Sequence, residues 1–97
     1  MSLRHITTEA EWLEAQRVGE VHPASLEAEG FVHCSTEDQL PRTLVRHFAG
    51  VDQLLVLEVD AERSGVEVRW EESEGELFPH LYGAIPVDAV TGVYPAR

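Results

Sequence analysis

An unbroken apolar run near the middle of the chain places the strongest limit on the fold. Leu54, Leu55, Val56 and Leu57 follow one another with no polar residue between them. Successive side chains of a strand point to opposite faces of a sheet, so both faces of this strand must be covered. The run therefore predicts a central strand over residues 53–59, inside a sheet that is packed on both sides.

A helix is predicted before that strand, over residues 8–17. Thr8 and Glu11 form a capping box, in which each side chain satisfies the backbone amide of the other. Trp12 and its apolar neighbours supply one stripe of the helix, and Gly19 is a suitable stop.

A second helix is predicted over residues 36–48. Thr36 and Gln39 repeat the capping signature, and apolar residues recur at helical spacing up to Phe48. Pro41 lacks an amide hydrogen, so the helix either kinks there or begins there. Residues 25–28 can add one short turn between the two helices.

The other extended segments decide the fold class. Short strands are predicted over residues 3–6, 31–35, 66–71, 77–82 and 91–94, and the acidic stretch over 71–76 reads as a solvated loop. Two main helices come early, and strands without helices follow. This order predicts an α+β fold with a mixed or antiparallel sheet, rather than a doubly wound parallel one.

Composition limits the partners. The 97 residues suit a single domain over residues 1–97. A net charge of −11 argues against non-specific nucleic-acid binding, because phosphate neutralisation needs clustered cations. No apolar stretch reaches the length of a membrane span, and the N-terminal residues lack a signal-peptide pattern. With a single Cys, this composition predicts a cytoplasmic location.

The first candidate site is the segment over residues 31–36. In a strand His33 and Ser35 share one face, while Val32 and Cys34 point to the other. His33 and Ser35, followed by Thr36 at a helix N-terminus, could bind an anion or a sugar hydroxyl. A purely structural interpretation stays open, because helix caps explain Ser35 and Thr36 and a core hydrogen bond explains His33.

The second candidate site is the segment over residues 78–83. His80 and Tyr82 share a face if the segment is extended. Tyr82 can stack on a flat ring, and His80 can donate a hydrogen bond or move a proton. An aromatic patch that completes the core is the structural alternative.

A third group is formed by Arg69 and Glu71, which share one face of a predicted strand. An Arg there can hold a phosphate or a carboxylate, although a surface ion pair is the simpler account. Glu58 is unusual in an apolar strand and is either an edge residue near the strand end or a carboxylate that lines a cleft. The five His show no metal-ligand spacing, so no metal site is predicted. Cys34 and His33 face apart in a strand and form no catalytic dyad.

These segments together resemble a family known as domain of unknown function 952. The segments that carry the resemblance are residues 30–36 with Gln39, residues 68–71 and residues 78–83, and the resemblance covers nearly the whole chain. That family resembles the ADP-ribosyltransferase fold, which is an α+β split sheet around an NAD-binding cleft.

The resemblance implies a role for several residues. By position, His33 resembles the residue that grips the nicotinamide-side ribose in such folds, and Tyr82 or His80 resembles the aromatic residue that stacks on nicotinamide. The usual late catalytic Glu has no counterpart after Tyr82, which puts mono-ADP-ribosyl transfer in doubt. A 2′-phosphotransferase type of reaction and binding without chemistry stay open.

The leading hypothesis is a cleft that binds NAD or a related nucleotide and supports an ADP-ribosyl- or phospho-transferase-like reaction. His33, His80 and Glu71 are the candidate catalytic residues, with Glu71 stabilising an oxocarbenium-like transition state. Ser35, Thr36, Arg69 and Tyr82 are the candidate ligand-binding residues. The alternatives are a non-catalytic module that binds a small ligand or a partner, and a purely structural role for both His.

Overall fold

Three antiparallel sheets and four helices make up the computed structural model, which describes residues 1–97. The strands are β1 (Ser2–Thr8), β2 (Glu20–Val21), β3 (Val32–His33), β4 (Leu54–Asp60), β5 (Val68–Ser73), β6 (Glu76–Leu81), β7 (Ile85–Pro86) and β8 (Val90–Pro95). The helices are α1 (Glu9–Val18), α2 (Ala24–Glu29), α3 (Leu40–His47) and α4 (Ala61–Ser64), and a 3₁₀ turn covers Val87–Ala89. The fold class is therefore α+β, and every strand pair is antiparallel.

The predicted central strand is confirmed. β4 lies between β1 and β8 in the first sheet. Its neighbouring residues Val56 and Leu57 point to opposite faces, and both are completely buried. Burial on both faces is what the apolar run required. The main hydrophobic core includes Leu57, and residues from all three sheets contribute to it.

A second sheet, in the order β3-β6-β5, meets the first one at a single bridge. Arg4 of β1 and Ser35 exchange two backbone hydrogen bonds of 2.8 Å. β2 and β7 form a separate two-stranded ladder. The bridge brings the edge of β1 next to the end of β3, and the candidate site lies at this junction.

The capping box of α1 is confirmed. Thr8 Oγ1 accepts a hydrogen bond from the Glu11 amide at 3.1 Å, and Glu11 Oε1 accepts one from the Thr8 amide at 3.2 Å. Gly19 ends the helix in the left-handed conformation, which glycine adopts without a steric penalty.

The prediction of a helix over 36–48 is wrong at its start. Thr36 and Gln39 do exchange backbone-to-side-chain hydrogen bonds, at 3.0 and 3.2 Å, but they close a turn that precedes the helix. α3 begins at Leu40, with Pro41 in its first turn. Since the first turn has no amide partners to lose, proline is tolerated there.

The prediction of a loop over 71–76 is also wrong. Glu71 and Ser73 belong to β5, Glu76 belongs to β6, and only Glu74 and Gly75 connect them. Both connecting residues have positive φ angles, 53° and 87°. Such angles match the twist of a two-residue β-hairpin, so the acidic segment forms a tight hairpin.

The short elements were missed or underestimated. α4 was not predicted; its start is capped by Asp60, which accepts a hydrogen bond from the Arg63 amide at 3.1 Å. The β2–β7 ladder has two residue pairs and was not predicted either. Such elements are too short for a periodic sequence pattern. No helix of the structure is long and apolar enough to cross a membrane.

Candidate functional site

A cleft of about 330 Å³ lies where β1 meets β3 and β6. α3 and the end of β5 complete its wall. The polar side chains that matter for its chemistry are Arg4, His5, His33, Ser35, Thr43 and His80. Small-molecule sites commonly have volumes of about 300–1,000 Å³, so the cleft falls at the small end of that range.

Strand register explains how His33 and His80 come together. In the antiparallel pair of β3 and β6, His33 lies directly opposite His80. Directly opposed residues project to the same face of a sheet. Their ring centroids are 5.4 Å apart, with the planes at 74°.

His80 is held by the carboxylate of Glu71. The Nδ1 atom of His80 lies 2.8 Å from Glu71 Oε1, and the Tyr82 hydroxyl donates to the same oxygen at 2.5 Å. These two hydrogen bonds lower the pKa of Glu71, with Tyr82 contributing more than His80. The same contact with the carboxylate raises the pKa of Tyr82. Glu71 is therefore ionised at neutral pH and accepts hydrogen bonds from both partners.

Phe31 packs against one face of the His80 ring. The two rings are stacked with their centroids 4.0 Å apart and their planes at 14°. Phe31 also meets the His33 ring edge-on at 4.8 Å. The side chain of His80 is only 8% exposed, so packing and the hydrogen bond to Glu71 together fix its orientation.

His5 supplies a third imidazole. Its Nδ1 atom lies 2.8 Å from the backbone oxygen of His33. A carbonyl oxygen only accepts, so Nδ1 carries the proton and Nε2 keeps a lone pair. Burial lowers the pKa of His5, because desolvation disfavours the charged ring more than the carbonyl of His33 favours it. His5 is thus a neutral side chain of fixed tautomer at neutral pH.

Arg4 brings positive charge to the cleft, although its side chain is only 10% exposed. Nε donates to the Tyr94 hydroxyl at 3.2 Å, and Nη1 donates to Ser2 Oγ at 2.8 Å. Nη2 lies 3.7 Å from Glu58 and 4.0 Å from Glu37, beyond hydrogen-bonding distance. The hydrogens of Nη2 can therefore be donated to a bound anion. Glu58 lies beside Arg4 in the central strand β4 and does not line the cleft, so it is neither the edge residue nor the cleft carboxylate that the sequence suggested.

The hydroxyls of Ser35 and Thr43 form a chain of hydrogen bonds that ends at a backbone carbonyl. Thr43 donates to the backbone oxygen of Gln39 at 3.2 Å. The hydroxyls of Ser35 and Thr43 lie 3.2 Å apart. Because the Thr43 proton is engaged, Ser35 is the donor in this pair, and the lone pairs of its oxygen stay free.

Ion pairs attach α3 to the β5–β6 hairpin on one side of the cleft. Arg42 lies 2.8 Å from Glu76, while Arg46 and His47 lie 3.0 and 2.8 Å from Glu74. The acidic segment, which the sequence predicted as a loop, therefore holds α3 against the second sheet.

The structure brings some of the predicted residues together and separates others. His33, Ser35 and His80 line the cleft, and Glu71 and Tyr82 lie beside His80. Arg69 lies directly opposite His80 in the register of β5 and β6, but its guanidinium packs 4.1 Å from the centre of the Tyr82 ring and pairs with Glu67. Thr36 closes the turn before α3 and does not line the cleft.

Sequence reasoning missed Arg4, His5 and Phe31 as site residues. One pattern in the sequence bears on His5: it stands between Leu3 and Thr7 at every second position of β1, and all three are buried. A polar residue at an inward position of a strand is informative, because buried polar groups need partners. Arg4 has no such pattern, since it reaches the cleft only through the bridge to Ser35.

Cys34 and metal coordination offer no alternative chemistry. The Cys34 side chain lies in the core, where burial raises the pKa of its thiol to about 12. A protonated thiol is a poor nucleophile and a poor metal ligand. No three His, Cys, Asp or Glu side chains are grouped in a way that could hold a metal ion.

Comparisons with known proteins confirm the family. A family model described as protein of unknown function (DUF952) matches residues 6–93. The crystal structure of protein CC0527 from Caulobacter crescentus is similar, with 35% identity, a TM-score of 0.88, and coverage of 98% of this chain and 85% of that one. The solution NMR structure of CC0527 is similar with a TM-score of 0.82 at 35% identity, over 97% of this chain and 83% of that one. No curated protein matches. The chain belongs to the family of proteins of unknown function described as DUF952.

Proposed function

We propose that this cleft binds NAD or a related nucleotide, and that the protein is an ADP-ribosyl- or phospho-transferase-like enzyme on an ADP-ribosyltransferase-like fold. The observation that supports this proposal is the distribution of charged and polar side chains around the cleft. In a chain of net charge −11, Arg4, whose side chain is nine-tenths buried, lines the same cleft as four His residues and four Ser or Thr residues.

Arg4 suits the phosphate part of such a ligand. A guanidinium with free donor hydrogens binds phosphate oxygens with charge-assisted hydrogen bonds. Because Arg4 is largely shielded from water, its charge is screened less than that of a surface Arg. The other polar groups suit a ribose: the exposed His33 ring stands at one wall, and Ser35 and His5 each offer a lone pair.

The size of the cleft sets which part of the ligand is enclosed. A volume of about 330 Å³ lies at the lower limit for small-molecule sites. We therefore expect it to enclose one nucleotide half of NAD, with the rest extending along the open side. Phe78 and Phe48 provide apolar contact surface in the same cleft.

A second candidate function, ligand binding without chemistry, is favoured by the position of Glu71. Its side chain is 40% exposed, one of its oxygens is committed to His80 and Tyr82, and it does not line the cleft. A carboxylate that stabilises an oxocarbenium-like transition state must face the reacting sugar. Direct stabilisation by Glu71 is therefore less suited to this geometry than an action through His80.

The test is isothermal titration calorimetry of the native chain with NAD, ADP-ribose and nicotinamide at millimolar concentrations. We expect heat from NAD and ADP-ribose, and binding weaker by roughly tenfold to a hundredfold in Arg4→Gln, because a charge-assisted hydrogen bond is lost. Arg17→Gln is the matched control, since Arg17 is exposed on α1 and pairs with Glu14. Absence of heat from all three ligands with the native chain would contradict the proposal, as would unchanged affinity in folded Arg4→Gln.

Mass spectrometry of the same mixtures separates the two candidate functions. A transferase consumes NAD or a phosphorylated relative and yields a new covalent product. A binding module returns every ligand unchanged while His33→Ala and His80→Ala lose affinity.

A further inference from the structure

The arrangement around Glu71 distinguishes His80 from the other imidazoles of the cleft. One carboxylate oxygen accepts two hydrogen bonds, one from Tyr82 and one from His80. A carboxylate at neutral pH only accepts, so Nδ1 of His80 must be its protonated nitrogen. The neutral ring therefore carries its lone pair on Nε2.

The Nε2 atom of His80 remains reachable from the cleft. It makes no hydrogen bond within the protein, and every fully buried side-chain nitrogen or oxygen has a partner. An unpartnered Nε2 therefore keeps contact with solvent, and His80 meets solvent where it lines the cleft. The negative charge of Glu71 stabilises the imidazolium that forms when Nε2 gains a proton.

We propose that His80 is a general base whose Nε2 takes the proton of a hydroxyl group or a water molecule, and that Glu71 and Tyr82 are its positioning residues. The acceptor of the transfer is then an oxygen nucleophile. This inference rests on the proposed function, because it names the acceptor class for the same cleft.

With NAD as the substrate, one bond forms and one bond breaks at C1′ of the nicotinamide ribose. The O–H bond of the acceptor breaks and its proton goes to Nε2 of His80. The acceptor oxygen forms a bond to C1′ of the nicotinamide ribose. The bond from C1′ to the nicotinamide nitrogen breaks, and its electron pair leaves with neutral nicotinamide. Nothing is oxidised or reduced, and the products are an O-linked ADP-ribose, or ADP-ribose itself when water attacks, with one proton on His80.

The chemistry of a neutral imidazole favours oxygen acceptors over the alternatives. A carboxylate acceptor carries no proton to remove at neutral pH, and a guanidinium holds its proton too tightly for an imidazole to take. A hydroxyl develops acidity as its oxygen attacks, which is when a general base contributes most. His5 adds a second lone pair without adding charge, since it is neutral with Nδ1 engaged.

The pH dependence of this base is set by the groups that surround it. These are Glu71 and Arg69 of β5, Tyr82 after β6, His33 of β3 with its partner Glu29, Arg4 and His5 of β1, and His47 of α3. Glu71 is the carboxylate in direct contact with the ring. Removing its charge must therefore destabilise the imidazolium.

The experiment measures nicotinamide release from NAD between pH 5 and 9, with and without methanol as a competing hydroxyl acceptor. We expect the rate to rise with pH to a plateau, and methyl-ADP-ribose to appear when methanol is present. His80→Ala should lower the rate roughly 10²- to 10⁴-fold, which is the usual contribution of a general base. Glu71→Gln and Tyr82→Phe keep His80 but remove its positioning contacts, so both should lower kcat while leaving the KM for NAD unchanged.

Glu72→Gln is the matched control, because Glu72 is the next residue of β5, is exposed and makes no contact with His80. It should reproduce the native rate and profile. ¹⁵N NMR of the imidazoles adds a readout that needs no turnover: the neutral ring of His80 should be protonated at Nδ1, and Glu71→Gln should increase the share of the Nε2-protonated tautomer.

Each outcome decides between the two proposals. If NAD binds by calorimetry but the native chain releases no nicotinamide, the general-base role is wrong and the binding function stands. Full activity in folded His80→Ala, or an Nε2-protonated neutral ring at His80, overturns the role as well. If NAD gives no binding heat, the proposed function itself fails.

Discussion

Two concavities of similar size differ in their chemistry. The cleft between β1, β3 and β6 has a volume of about 330 Å³, and a groove beside α1 has a volume of about 410 Å³. The groove is lined by Glu11, Glu14 and Glu20 and has no Arg, whereas Arg4 lines the cleft. Size alone would favour the groove as the ligand site, so the choice depends on which groups are free to bind.

The groove and the cleft also differ in which of their polar groups already have hydrogen-bond partners. In the groove, Glu11 is engaged by Thr8, and the two nitrogens of His22 lie 3.4 Å from Glu20 and 3.3 Å from Glu27. In the cleft, His5 and His80 are each fixed through Nδ1 and keep Nε2 free. Fixed groups with free donors or acceptors are what a binding site requires. The comparison also shows that the net charge of a chain does not give the charge of its site.

The largest effect on stability should come from removing a His of the cleft rather than one of the groove. His80→Ala loses a hydrogen bond to a charged acceptor and a ring stack on Phe31, and should cost about 2–4 kcal/mol. His22→Ala removes a side chain that is 43% exposed and should change the free energy of unfolding by less than about 0.5 kcal/mol. Urea unfolding followed by circular dichroism measures both. Equal costs would show that the His80 contacts contribute no more than surface contacts.

A smaller effect on stability is expected from Thr8→Ala. This substitution destabilises α1, which borders the groove, and Thr8 does not line the cleft. The variant loses the capping box of α1 and should cost about 1 kcal/mol. Affinity for NAD or ADP-ribose, measured by calorimetry under conditions where the variant is folded, should equal that of the native chain. A large loss of affinity would place the ligand on the α1 side and reverse the comparison.

The smallest expected effect is a change in the free energy of unfolding with pH. Burial lowers the pKa of His5 below its ordinary 6.5. Just below pH 6.5 the unfolded chain therefore binds more protons at His5 than the folded chain does. The free energy of unfolding should therefore fall as pH drops below about 6.5, and the contribution of His5 should be fully present above that pH. His5→Asn keeps a donor for the His33 carbonyl but does not titrate, and should flatten the profile. Urea unfolding at pH 7.5, 6.5 and 5.5 measures this, with His22→Asn as the control; parallel profiles for His5→Asn and the native chain would refute it.

Local chemistry explains which elements the sequence predicted well. The capping box at Thr8 and the apolar run from Leu54 each act within a few residues, so α1 and β4 were recovered within a residue or two of their predicted bounds. The failures have local causes as well. The turn at Thr36 uses the same hydrogen bonds as a helix cap. The hairpin turn has the usual Gly75 in its second position, but Glu74 replaces the Asn, Asp or Gly that is typical of the first.

For the candidate site, the sequence by itself determined which residues share a face. Alternation along a strand pairs His80 with Tyr82 and Arg69 with Glu71, whatever the rest of the chain does. Only the tertiary structure decided which faces meet, because the register that sets His33 opposite His80 depends on partners more than forty residues apart. A second long-range pairing, the bridge between Arg4 and Ser35, brings Arg4 and His5 beside β3, and the hydrogen bond to the His33 carbonyl fixes the proton of His5 on Nδ1. Protonation state follows from surroundings, and surroundings are assembled from distant parts of the chain.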